Sequence, residues 1–114
     1  MDAAMEYEWF IRTAFGLALD KRVERFEDPA GFADTDTFTN GNLPVVKAAT
    51  GYAVGIYRNH IKTNPETIND TCANYLCRIM SAVHVNEIAN IIQEFNAEVV
   101  EQCFDRVDGA LQPK

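Results

Sequence analysis

Histidine, long apolar runs and glycine-rich loops are scarce or missing in this chain, and each absence excludes a class of function. Only two histidines occur, His60 and His84. Neither belongs to a His-x-x-x-His or Glu-x-x-His pattern, and no carboxylate stands three or four positions from His60. There is no phosphate-cradling glycine loop and no nucleophile elbow. The expectation is a protein without catalytic activity, cofactor or metal. The longest apolar stretches fall well short of the roughly 20 residues of a membrane span. The opening MDAAMEYEWF is acidic where a secretory signal needs a basic segment. These two features point to a cytoplasmic protein that does not engage a membrane.

Cysteine is sparse and odd in number: Cys72, Cys77 and Cys103. The CANYLC spacing is not the Cys-x-x-Cys of zinc or redox sites. On a helix Cys72 and Cys77 would point about 140° apart, a poor geometry for a bridge. All three read as reduced thiols in apolar surroundings. Basic residues are also in deficit, with 10 Lys and Arg against 17 Asp and Glu and a net charge of −7. A protein that binds nucleic acid directly needs the opposite balance, because lysine and arginine must displace counterions from phosphates.

What the chain does have is apolar content, 47% over 114 residues. That is enough for a core without disulfide or metal staples and fits a single helical domain over residues 1–114. Residues 3–26 carry Tyr7, Phe10, Ile11, Ala14 and Phe15 at helical spacing, with Lys21, Arg22 and Arg25 toward the end and Pro29 and Gly31 as the stop. Trp9 stands off that stripe, either in an interface or over the core edge. Residues 28–42 form a long turn-rich loop in which Asn40-Gly41 allows a short hairpin, although Pro44 limits its second strand. Asp34 and Asp36 resemble the start of a calcium loop, but Phe38 and Thr39 break the pattern.

Residues 44–62 form a second helix. Its apolar arc extends on both sides of Gly51 and Gly55, which favours helix over strand for residues 51–58. The third opens at Asn64-Pro65-Glu66, with Asn64 as cap, and buries Ile68, Cys72, Tyr75, Leu76, Ile79, Met80 and Val83. No Gly or Pro separates it from the fourth. A single continuous helix would nevertheless rotate the apolar face by roughly 130° between the two stretches, so a corner is expected at Val83–Asn86. The fourth helix runs to about Asp108, followed by a frayed ALQPK tail. The fold class is therefore all-α, a compact bundle of about four helices.

Charge is unevenly placed on this frame. Residues 85–114 carry −4 of the total. Glu94, Glu98, Glu101, Asp105 and Asp108 recur at helical spacing, with Glu87 a heptad earlier, within an arc of about 80° and over roughly 21 Å. Such a row is either a solvated outer face or a docking element for a basic protein. In the second reading it resembles a phosphate backbone, as in a DNA mimic, an anti-CRISPR or anti-restriction inhibitor, or a toxin-immunity protein. Lys47, Arg58 and Lys62 share one side of the second helix and would pair with the acidic helix. Ala48, Gly51 and Gly55 form a small-residue strip, and Val100, Phe104 and Val107 widen the apolar arc of the fourth helix. Both features favour a symmetric homodimer. Two rival readings are a ligand-binding or enzymatic pocket near His60, Tyr57 and Cys77, and a structural component of a larger assembly.

Overall fold

Helix α1 (Ala3–Ala18) buries Tyr7, Phe10, Ile11 and Ala14 on one stripe, as the spacing of its apolar residues requires. The computed structural model describes residues 2–19 and 31–114. Lys21, Arg22, Arg25 and Pro29, assigned from sequence to the end of the first helix, lie outside the described residues.

The turn-rich segment does not form a hairpin at Asn40-Gly41. It makes two 3-10 turns, Thr35–Thr37 and Asn40–Asn42. The Asp34 carboxylate accepts the Asp36 N–H at 2.9 Å and closes the first of them. The second leads directly into helix α2 (Leu43–His60), where Pro44 occupies the first turn and could not have served a ladder. Residues 51–58 are helical throughout.

Helix α3 (Pro65–Ser81) begins after Asn64, which takes a left-handed conformation at φ 47° and makes no side-chain cap. Asn64 therefore turns the backbone instead of capping the helix, and Pro65 supplies the start. The far end of α3 is held from another helix: the Lys47 ammonium donates to the carbonyls of Met80 and, at 3.0 Å, Ala82. Cations suit this negative end of the helix dipole. Lys47 thus stitches α2 to α3 and does not pair with the acidic helix. Met80 and Val83 fall off the buried face, Val83 being 77% exposed at the corner.

The corner itself lies where the face rotation placed it. Helix α4 (Val85–Phe95) starts with His84, whose Nδ1 accepts the Asn86 N–H at 3.0 Å. The Asn40 side-chain carbonyl accepts the Val85 N–H at 2.9 Å from the opposite side. Beyond Phe95 the helix loosens into a π-helical stretch, Asn96–Val100, and tightens again for one last turn, α5 (Glu101–Cys103). It then ends. Residues Phe104–Val107 (β1) and Ala110–Pro113 (β2) pair antiparallel, Phe104 with Pro113 and Val107 with Ala110. Asp108 (φ 52°) and Gly109 (φ 78°) form the two-residue turn between them. Two consecutive positive φ values match the twist of a tight hairpin, and Asp-Gly is a favoured pair for it. The tail is thus ordered, with Leu111 buried against the core.

The architecture is an all-α bundle of four main helices with this small sheet added. Helix α1 packs on α2 and α4, and α3 packs on the same two. Phe95 sits at the centre. Its ring meets Phe10 edge-on at 5.6 Å, Tyr57 at 5.6 Å and Tyr75 edge-on at 5.2 Å, so one residue of α4 touches α1, α2 and α3.

Candidate functional site

The six acidic residues of the C-terminal region are all exposed, but they do not form one helical row. Three of them face α3 and the corner that follows it. Glu87 accepts the Val83 N–H at 3.1 Å, across the corner. Glu94 pairs with the Arg78 guanidinium. Glu98 accepts the hydroxyl of Tyr75. Burial, and then the Glu98 carboxylate, keep the Tyr75 phenol protonated far above its ordinary range.

Glu101 turns away from this seam. It follows the π-helical stretch and lines a groove of about 380 Å³ with Glu6, Trp9, Gln93, Ala97 and Arg106. No ion pair reaches Glu101 among the described residues. Asp105 stands on β1 with Lys114 Nζ 3.8 Å away, and Asp108 belongs to the hairpin turn. The reason for the split is local. Phe104 turns inward at the start of a paired strand whose next three residues are exposed, and the Asp108-Gly109 turn folds the chain back. The spacing that extends the row to Asp108 is a coincidence of helical and hairpin periods.

The residues assigned to a second copy divide similarly. Val100 and Phe104 belong to the protein's own core, at 2% and 4% exposure, so they are not free to meet a partner. The width of the apolar arc reflects a helix packed on α1, α2 and α3, with Phe104 and Val107 belonging to β1. Val107 is 40% exposed and Ala48 is exposed. A Cβ added at Gly51 would meet the Leu76 side chain at 3.5 Å, ordinary contact with α3, and one added at Gly55 would meet nothing. Within the chain itself, the strip brings no second helix backbone close among the described residues.

The pocket expected near His60 does not assemble. Tyr57 is fully buried and donates its hydroxyl to the Phe10 carbonyl at 3.1 Å, and burial drives its phenol well above the ordinary range. Cys77 is exposed on α3. His60 Nδ1 sits 2.9 Å from the Ile56 carbonyl and faces a different groove, lined by Lys62, the end of α1 and the hairpin. Among the described residues no group of three His, Cys, Asp or Glu side chains could hold a metal ion.

The groove beside Trp9 is the feature sequence reading did not assemble. Arg106 lies over the indole, its guanidinium carbon 5.2 Å from the ring centroid. Gln93 donates to Glu6 at 2.7 Å across the groove, tying α4 to α1. Asn96, first residue of the π-helical stretch, has a buried side-chain oxygen without a hydrogen-bond partner. Two signals marked the place: an indole off the main stripe of α1, and a lone arginine among carboxylates.

No family model matches the chain, nor does any curated protein or solved structure. No helix among the described residues is long and apolar enough to cross a membrane.

Proposed function

We propose that the protein acts without catalysis, by docking its acidic C-terminal region on a basic surface of another protein. The observation that carries this reading is the exposure of Glu87, Glu94, Glu98, Glu101, Asp105 and Asp108 within one stretch whose only cations are Arg106 and Lys114. Arg106 lies on Trp9, and Lys114 stands 3.8 Å from Asp105. A negative field of this kind steers encounter with a basic partner and raises the association rate. Proteins that handle nucleic acid carry the dense lysine and arginine this surface would meet, which makes an inhibitor or immunity role the concrete form of the proposal. The regular phosphate-like ruler is not part of it, because the helix ends at Cys103. What remains is complementarity of charge.

The test is capture of a basic target from the native host on the immobilised protein. Charge reversal at Glu101→Lys with Asp105→Lys spares the Glu94 and Glu98 contacts to α3. The double variant should keep its circular dichroism and melting profile, lose the target, and mimic in low salt what the wild type does in high salt. A target retained equally by the folded double variant overturns the reading.

A further inference from the structure

The geometry points to an added β-strand as the mode of docking: an extended basic segment of the partner lies along the open edge of β1, with its side chains in the Trp9 groove. This rests on the reading of a basic protein partner and specifies how that partner is held.

The hairpin register decides which backbone groups face outward. A two-residue turn makes Val107 and Ala110 a hydrogen-bonded pair, and the pairs then alternate. Asp105 and Gln112 bond to each other, and the next pair outward is confirmed by the Lys114 N–H donating to the Cys103 carbonyl at 2.9 Å. Arg106 falls between them. Its N–H and C=O consequently point away from β2, and no hydrogen bond reaches them among the described residues. The other edge differs. Pro113 on β2 has no N–H to offer, and β2 lies on the side of Gly16–Ala18 and His60. Both edges adjoin a groove, but the one along β2 carries Lys62 and His60 and lacks the Pro113 donor, so a basic segment is better received along β1.

The open edge adjoins a place for side chains. Arg106 lines the 380 Å³ groove that also holds Glu6, Trp9, Ala97 and Glu101. Strand addition supplies main-chain hydrogen bonds, and alternate side chains supply specificity. Here the alternate positions meet an indole flanked by Glu6 and Glu101, and the single cation of the groove already lies on that indole. Lysine or arginine at every second position fits this lining, whereas acidic residues meet two carboxylates.

The chain has a single tryptophan, so fluorescence reports the groove directly. The probe is a capped octapeptide of alternating Lys and Thr, with the Glu-Thr octapeptide as control. The Lys-Thr peptide should change Trp9 emission and slow exchange of the Arg106 amide at least tenfold, and the Glu-Thr peptide should do neither. Glu101→Gln should weaken binding severalfold. Arg106→Gln keeps the outward N–H and should still bind, whereas Arg106→Pro removes it at an edge position that tolerates proline and should bind at least tenfold more weakly. Exchange at Arg106 in the wild type decides the matter if the proline variant does not fold. The proposal is overturned if the peptide fails to bind, if it binds without slowing that amide, or if light scattering shows the edge occupied by a second copy. A target still captured by folded Arg106→Pro but lost on reversal of Glu101 and Asp105 would remove the strand and leave the acidic docking reading standing.

Discussion

The three cysteines have the same chemistry and different surroundings. Cys72 and Cys103 are buried and Cys77 is exposed on α3. Burial pushes the Cys72 thiol up to about 11, with the nearby Arg58 only partly opposing it. Native protein at mild alkaline pH should therefore label with a thiol reagent at Cys77 alone, and unfolded protein at all three, as mass spectrometry would show. The raised value also sets a pH dependence. Between the ordinary thiol value of 9.0 and about 11 the unfolded chain loses this proton while the folded one keeps it. Stability accordingly falls as pH rises through that window, and Cys72→Ala should flatten that part of a urea-midpoint profile. Burial of Cys72 and Cys103 was legible from helical spacing. Exposure of Cys77 contradicts the sequence reading of three sheltered thiols, and it results from the narrowness of the α3 face, on which only Cys72, Tyr75 and Ile79 are fully buried.

Among the elements, four helices and the corner before Val85 could be read from periodicity, because each helix repeats its apolar residues for several turns. The hairpin could not. Four residues per strand give too few repeats to separate period 2 from period 3.6, and Phe104 and Val107 satisfy a helix as well as a strand. Asp108-Gly109 was the available signal, the same kind of dipeptide as Asn40-Gly41, which opens a helix here. The two differ in the residues next along the chain: Pro44 after one, Ala110 and Leu111 after the other. At φ 78° Gly109 holds a conformation that a side chain disfavours, so Gly109→Ala should cost about 1–2 kcal/mol. Thermal unfolding would measure the loss, and the Lys114 amide, bonded to Cys103, should exchange faster in the variant.

For the molecule as a whole, one ring ties the helices together. Phe95 is fully buried against α1, α2 and α3, and Phe95→Ala should cost about 3–5 kcal/mol, a large part of the stability of a domain this size. Urea denaturation followed by circular dichroism would show a single lowered midpoint, since no helix can lose this contact alone. The candidate site was legible only in part at this scale. Acidity of the C-terminal region is a property of composition and could be read directly. Its arrangement depends on Tyr75, Arg78 and Lys114 arriving from elsewhere, and the Trp9 groove on α1, α4 and β1 meeting, none of which local spacing encodes.

The Asn40 side chain has a consequence for the stability of α4. It caps the first turn of α4 across 45 residues of sequence, and its amide nitrogen lies 2.8 Å from the Nε2 of His84. The His84 cap on the Asn86 N–H is local, whereas the Asn40 cap on the Val85 N–H needs a long loop to close. The first turn of α4 is therefore completed by a residue that belongs to none of the four main helices, so its full stability depends on the tertiary fold.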